Sequence, residues 1–116
     1  MKGRSATPWL TDIVDAITLL RVEMDGVTLA AFEPGRRKRW LVERGIEIIS
    51  EASRRLPAAV KARHAAIPWP KVTAIGNILR HEYAQVACDV LWHVVQDDLP
   101  ALEAVCRAEL TVADRE

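Results

Sequence analysis

The sequence predicts an all-α protein, an antiparallel four-helix bundle with a short extra helical segment. Half of its 116 residues are hydrophobic, but only one is Phe and one is Tyr, a balance that favours helix over sheet. Apolar residues recur at three- and four-residue steps, and no stretch shows the strict two-residue alternation of a strand. The length fits one domain, residues 1–116, with flexible ends at 1–6 and 111–116.

Two long helices are predicted in the first half of the chain. The first has Thr7 as its N-cap and Pro8 in its first helical position. Its apolar positions are Leu10, Ile13, Val14, Ile17, Leu20, Met24 and Val27. Glu33-Pro34-Gly35 reverses the chain, and the second helix runs from about Arg36 to Leu56. Its apolar positions are Trp40, Leu41, Ile46, Ile48, Ile49, Ala52 and Leu56.

The second half predicts a short helical segment and two further long helices. The short segment runs from Ala58 to His64, and Ile67-Pro68-Trp69-Pro70 then interrupts the chain. The third long helix extends from about Lys71 to Ala84 or slightly beyond. Its core-facing residues are Val72, Ile75, Leu79 and Val86. The fourth runs from near Ala87 to about Ala108, and Pro100 either kinks it or starts a new turn.

The third long helix carries the polar residues that suggest chemistry. Asn77 and His81 are four residues apart and therefore share a face, with Arg80 and Tyr83 nearby. An imidazole can move protons near neutral pH, and a guanidinium can hold a phosphate. These groups are the parts needed for metal-independent RNA cleavage. The alternative is a polar seam between two helices.

The net charge does not indicate a nucleic-acid-binding protein, but one local run of basic residues could contact RNA. Sixteen basic and sixteen acidic residues cancel, so an RNA contact must come from a patch rather than from the net charge. The strongest run is Arg36, Arg37, Lys38 and Arg39. It is either a solvated helix start or a contact surface for a phosphate backbone or an acidic partner.

The remaining polar and aromatic residues predict structural roles. His64 and His93 lack metal-ligand spacing, so neither a metal nor another cofactor is expected. Cys88 and Cys106 are predicted to be buried, reduced thiols. Asp97 and Asp98 are predicted to cap the turn at Pro100, and the four tryptophans are core or interface anchors before base-stacking platforms.

No stretch of about eighteen apolar residues occurs, which favours a soluble cytoplasmic protein with no membrane contact. The Gly-rich phosphate loop and the common metalloprotease and hydrolase motifs are also absent from the sequence, which excludes many enzyme classes.

Several segments carry a family resemblance. Three segments closely resemble HepT-like proteins of the HEPN superfamily. They are Ile67-Pro-Trp-Pro70, Ile75-Gly-Asn-Ile-Leu-Arg-His-Glu-Tyr83 and Val90-Leu-Trp-His-Val-Val-Gln-Asp-Asp-Leu-Pro100. Glu43-Arg-Gly-Ile-Glu-Ile-Ile-Ser-Glu-Ala52 resembles the second helix of that family. The resemblance implies a HEPN-type bundle that forms a homodimer with two motif helices across the interface. It also implies an RNase toxin of a type VII-like pair, beside a minimal nucleotidyltransferase antitoxin.

The family motif reads arginine, asparagine, three residues, histidine, any residue, tyrosine. Asn77, His81 and Tyr83 match it, but Gly76 occupies the arginine position. Arg80 is the nearest substitute, although four residues advance a helix by about 400°, which turns Arg80 about 40° away from that direction. The resemblance implies His81 as general acid or base, Asn77 as its orienting group, and Tyr83 as the acceptor of a nucleotidyl group.

Two functions therefore remain open on sequence alone. The retained Asn77, His81 and Tyr83 favour an RNase. Gly76 favours a catalytically weakened protein that serves as a binding partner or modification substrate of the transferase.

Overall fold

The computed structural model describes residues 5–82 and 88–115, with the backbone alone for residues 80–82, 114 and 115. Its regular elements are α1 (Thr7–Met24), α2 (Leu29–Phe32), α3 (Arg36–Arg55), α4 (Ala58–Arg63), α5 (Trp69–Glu82), α6 (Cys88–His93), a π-helical turn (Val94–Asp98) and α7 (Leu99–Arg115). The predicted all-α bundle is confirmed. Within the described ranges, no helix is both long and apolar enough to cross a membrane.

Helices α1 and α3 run antiparallel, as contacts at their two ends show. At one end, Lys38 near the start of α3 donates to the carbonyl of Glu23 near the end of α1, over 3.1 Å. At the other end, the Arg55 guanidinium lies 5.5 Å from the centroid of the Trp9 ring. The start of each helix therefore lies beside the end of the other.

Helix α7 packs antiparallel to α1 on another side. Arg107 donates to the Thr18 hydroxyl over 3.2 Å, and Arg21 pairs with Glu103. The later residue of α1 thus contacts the earlier residue of α7, as antiparallel helices require. Glu103 also accepts from Arg107 over 2.9 Å, which makes it the centre of a three-residue ion pair. These contacts fix the register between the first and last helices.

The core lies between these long helices, and the apolar periodicity of α1 predicted its share correctly. Six of the seven residues named for α1 are buried, namely Leu10, Ile13, Val14, Ile17, Leu20 and Met24. Gly45 on α3 permits the close packing, because a Cβ there would lie 2.7 Å from Leu20 Cδ1. Real Cβ atoms do not approach so closely, so α1 and α3 meet where α3 has no side chain.

The predicted cap of α1 was wrong, and one short helix was not predicted. Thr7 is the first residue of α1 rather than its cap, and Ala6 holds the cap position without a side-chain hydrogen bond. The Ser5 hydroxyl accepts the Thr7 N–H over 3.1 Å instead. Helix α2 was not predicted, because four residues are too few to show a period. Thr28 caps it by accepting the Ala31 N–H over 3.2 Å.

The predicted apolar set of α3 was also wrong at one position. Ile46, Ile49, Ala52 and Leu56 are buried as expected, but the Trp40 side chain is 61% exposed. Helical spacing shows which residues share a face but not whether another helix covers that face along its whole length.

Pro100 is accommodated by the π-helical turn that joins α6 to α7. Proline has no N–H, and in an α-helix its ring crowds the carbonyl four residues earlier. Here the Leu99 N–H donates to the Val94 carbonyl five residues earlier, which widens the helix at that point. The break predicted at Pro100 is therefore a single wide turn within a continuous helical segment.

Asp97 and Asp98 do not cap a helix, contrary to expectation, because both lie inside the π-helical turn. The Asp97 carboxylate lies 3.0 Å from His93 Nδ1. Helix α7 continues to Arg115 and so is longer than predicted.

The boundaries of α5 were predicted less well than its existence. It begins at Trp69 rather than near Lys71. Its predicted end near Ala84, the core residue Val86 and the predicted start of the next helix near Ala87 lie outside the described residues.

The two cysteines are free thiols in different environments. Cys88 is half-buried, whereas Cys106 is fully buried on α7. Burial, aided by the negative charge of Glu109, raises the pKa of the Cys106 thiol to about 12. The prediction of reduced thiols fits both residues, and the prediction of full burial fits Cys106 only.

The buried Glu109 joins α7 to α4 through an ion pair with the half-exposed Arg63. The Arg63 guanidinium donates to both carboxylate oxygens, over 2.7 and 3.2 Å, and His64 Nε2 lies 2.7 Å from one of them. These hydrogen bonds outweigh burial, which opposes the charge, and hold the pKa of Glu109 at about 2. His64 thus has the structural role expected for it.

Replacing Glu109 should remove a pH-dependent part of the stability. The pKa of the Glu109 carboxyl is about 2 in the folded protein, compared with the ordinary value of 4.5 that applies to the unfolded chain. The carboxylate therefore contributes its full stabilisation above about pH 4.5, and this stabilisation disappears as the pH falls towards 2. We expect Glu109→Gln to lower the free energy of unfolding at pH 7 by about 2 kcal/mol, allowing for solvent screening of the half-exposed Arg63. Urea unfolding at a series of pH values should show this difference shrinking below pH 4.5. The control is Glu33→Gln at an exposed site, and equal pH profiles for the two variants would contradict the assignment.

Candidate active site

Helix α5 has a buried side and exposes Asn77, the first of the predicted polar residues. Trp69 and Leu79 are buried and Val72 is half-buried, whereas Asn77 is exposed. His81 lies in the same helix one turn after Asn77, so the two positions share a face. The structure therefore places the backbone of these two motif positions one turn apart on α5, where the Asn77 side chain is exposed.

The side chains of the other predicted site residues on and after α5 are not among those that the structure describes. For Arg80 and His81 the structure gives the helical backbone but not the side chain, and Tyr83 lies outside the described residues. Their roles stay predictions from the sequence.

The arginine position of the motif faces a neighbouring helix. Gly76 is buried against Ser50 of α3, whose hydroxyl accepts the Gly76 N–H over 3.2 Å and donates to the Thr73 carbonyl over 2.7 Å. A Cβ at position 76 would overlap the Ser50 hydroxyl and lie 2.5 Å from Ser50 Cβ. An arginine in this position would have to displace α3 or Ser50. The sequence showed only that the arginine is absent, not that α3 fills its place.

The same contacts show that α3 and α5 are antiparallel. Arg54, further along α3, reaches back to the Thr73 carbonyl at 3.4 Å. Glu47, one turn before Ser50, has its Cα 3.9 Å from the point that a Cβ on Gly76 would occupy. The start of α3 therefore lies towards the end of α5, the end that carries His81.

The basic run at the start of α3 divides into paired and unpaired cations. Arg39 donates to the Glu43 carboxylate over 2.9 Å, and this bond raises the pKa of Arg39 above its ordinary value. Lys38 lies 3.8 Å from a carboxylate of α1. Arg36 and Arg37 are exposed, and neither forms an ion pair with any described residue. Two of the four predicted contact residues are therefore outside the ion pairs of the described residues, and one of them, Arg36, lies over the ring of Trp40 at 5.9 Å from its centroid.

Two of the sequence motifs meet beside this helix. Ile67 and Pro68, which precede α5, line a small apolar cavity of about 150 Å³ together with Val94 and Leu99 at the π-helical turn. These two segments are therefore neighbours in the folded protein. No group of three or more His, Cys, Asp or Glu side chains in the described part of the chain is arranged to hold a metal.

Comparison with known proteins identifies the family. The sequence profile described as "Ribonuclease HepT-like" matches residues 13–109. The chain belongs to this family. A protein of Thermococcus cleftensis named "Probable ribonuclease HepT" is 34% identical over 100 residues, which cover 86% of this chain and 91% of that protein.

Two more distant relatives of this HepT-like chain carry provisional RNase names. One, from Caldanaerobacter subterraneus subsp. tengcongensis, is 26% identical over 100 residues, covering 86% of this chain and 89% of the relative. The other, from Methanocaldococcus jannaschii, is 27% identical over 103 residues, covering 89% and 94%. No solved structure matches the chain significantly.

Filling position 76 should destabilise this HepT-like protein. Glycine to alanine inside a helix ordinarily stabilises by about 1 kcal/mol, but overpacking a tight contact costs about 1–3 kcal/mol. We expect Gly76→Ala to lower the free energy of unfolding by about 1–2 kcal/mol, as measured by urea denaturation. The matched test is the double variant with Ser50→Gly, which removes the atoms that the new methyl group meets. The double variant should lose less free energy of unfolding than the two single variants lose together. If the two losses simply add, the side chains at positions 76 and 50 do not touch.

Proposed function

We propose that this protein is a metal-independent RNA endonuclease whose site lies on α5. The observation that carries the proposal is the match to the ribonuclease HepT-like family together with Asn77 and His81 one turn apart on α5, where the Asn77 side chain is exposed. Clustered cations at the start of α3 support it, because Arg36 and Arg37 retain charges that a phosphate backbone can use.

The proposed reaction is a transesterification. The ribose 2′-hydroxyl attacks the adjacent phosphorus, the bond to the 5′-oxygen breaks, and the products are a 2′,3′-cyclic phosphate and a 5′-hydroxyl. His81 either removes the proton from the 2′-hydroxyl or supplies one to the leaving 5′-oxygen. Asn77 orients the imidazole, and Arg80 offers positive charge to the non-bridging phosphate oxygens, where negative charge develops.

A homodimer would complete this site. Ile78, the neighbour of Asn77, is an apolar side chain that is 41% exposed on α5. Pairing two copies along their motif helices would cover Ile78 and place two sets of site residues across the interface. In such a dimer, Arg80 of one subunit could serve the phosphate bound by the other, which offsets the missing side chain at Gly76.

The proposed regulator is a minimal nucleotidyltransferase antitoxin that modifies Tyr83. The nucleotidyl group would place negative charge beside His81 and repel the RNA backbone. The toxin–antitoxin pair would then switch off cleavage by electrostatic repulsion at the site itself.

A second function is favoured by Gly76. Since α3 fills the space of the motif arginine, a weakened protein could act only as a binding partner or modification substrate of the transferase. Activity of the purified protein distinguishes this function from the nuclease.

His81→Ala should abolish RNA cleavage in the presence of a metal chelator, because it removes the acid–base group, an effect of about 10²–10⁴-fold for such groups. The measurement is the rate of cleavage of total cellular RNA by protein that is unmodified at Tyr83. His93→Ala is the matched control, since it removes an exposed histidine from α6. If the folded wild-type protein and both variants are equally inactive, the partner-binding function replaces the nuclease.

Tyr83→Phe should prevent modification by the cognate transferase, because phenylalanine lacks the acceptor oxygen. The test is incorporation of label from a radioactive nucleoside triphosphate. Tyr83 is the one tyrosine of the chain, so the variant contains no other phenol. Continued labelling of the variant at the wild-type level would show that the acceptor is a different kind of side chain.

A further inference from the structure

Trp40 differs from the other three tryptophans of the chain. The indole N–H groups of Trp69 and Trp92 donate to backbone carbonyls, and Trp9 is half-buried. The Trp40 side chain is 61% exposed, and the guanidinium of Arg36 lies 5.9 Å from its ring centroid. Most of the Trp40 side chain is therefore open to solvent, and a cation lies over one face of its ring.

Trp40 lies on the solvent face of α3, about 80° around the helix from Ser50, the residue whose hydroxyl bonds to α5. Trp40 precedes Glu47 by seven residues, an advance of about 700°, so the two residues point in directions that differ by only about 20°. Glu47 is the residue whose Cα lies 3.9 Å from the Cβ position of Gly76. Trp40 therefore lies on the same side of α3 as Glu47, beside the contact between α3 and α5 and open to solvent.

The helix rise brings Trp40 to the same end of the bundle as the candidate site. Trp40 lies about 10 Å from the level of Glu47 along α3, and His81 lies about 7.5 Å beyond Gly76 along α5. Because the two helices are antiparallel, these displacements have the same direction.

The charge around Trp40 favours an anionic ligand with flat bases. Arg36 and Arg37 are exposed and form no ion pair with a described residue, whereas Lys38 and Arg39 are paired. Single-stranded nucleic acid binds through aromatic side chains that stack on bases and through cations that follow the backbone. An acidic protein surface would use the same cations but would not require an exposed indole.

We propose that Trp40 is a base-stacking platform for single-stranded RNA and that Arg36 and Arg37 bind the flanking phosphates. The strand runs from His81 on α5 to Trp40 on α3. This inference rests on the proposed nuclease function and adds to it the conformation of the substrate and a binding position outside the motif helix.

The test measures binding without cleavage. Fluorescence anisotropy follows the binding of a labelled, mixed-sequence 12-mer of 2′-O-methyl RNA, which lacks the attacking hydroxyl. Trp40→Ala should weaken binding about 10-fold, in the range for loss of one stacked base, whereas Trp40→Phe keeps an aromatic face and should stay within about threefold of wild type. Circular dichroism and thermal unfolding confirm that both variants are folded.

A backbone without bases separates stacking from a structural effect. An abasic 12-mer of the same length has phosphates but nothing to stack on Trp40, so Trp40→Ala and wild type should bind it equally. Arg36→Ala should weaken binding of both oligonucleotides and lower the salt dependence by about 0.7 in the slope of log K against log[salt]. Its matched control is Arg55→Ala, which removes an exposed arginine from a tryptophan ring at the other end of α3 and should leave RNA binding unchanged.

Three outcomes would overturn the inference. The first is equal binding of the base-containing RNA by wild type and Trp40→Ala, and the second is an equal loss on both oligonucleotides. The third is unchanged RNA binding with weaker binding of the transferase, which would make this surface a protein contact. If Trp40 is needed for RNA binding but wild type does not cleave RNA, the stacking platform stands and the nuclease function fails.

Discussion

The contact between Gly76 and Ser50 determines how closely α3 and α5 approach, and the candidate site depends on it. With no side chain at position 76, the Ser50 hydroxyl reaches the backbone of α5 and bonds to both Thr73 and Gly76. Each residue turns a helix by about 100°, so fixing position 76 against α3 directs the next residue, Asn77, away from it. The packing of one glycine thereby exposes Asn77.

Helix α3 is held in this way on two sides. Gly45 admits Leu20 of α1, and Ser50 fits against Gly76 of α5. A helix that packs tightly on two neighbours has little freedom to rotate, so its remaining faces have fixed directions. Arg36 and Trp40 are exposed near the start of α3. The packing that excludes an arginine from the motif therefore also fixes the position of these two residues.

Sequence periodicity was enough for the fold but not for the contacts of the site. The buried residues of α1 follow helical spacing, so their burial could be predicted, and the exposure of Asn77 follows from the same reasoning. Trp40 has the spacing of a core residue but is exposed. The bond between Ser50 and Gly76 joins residues 26 apart in the sequence, and no local pattern encodes such a tertiary contact. The motif showed which groups matter, while their surroundings required the structure.

The π-helical turn at Val94–Asp98 determines the directions in which the side chains of α7 point relative to those of α6. A π turn holds one residue more than the α-helical turn it replaces, so it acts as a one-residue insertion within a continuous helix. Loss of that residue would rotate α7 by about 100° relative to α6. Glu103 would then turn away from Arg21, and Glu109 from Arg63. The wide turn that accommodates Pro100 is therefore also the alignment device through which the last helix finds its ion-pair partners on the rest of the bundle.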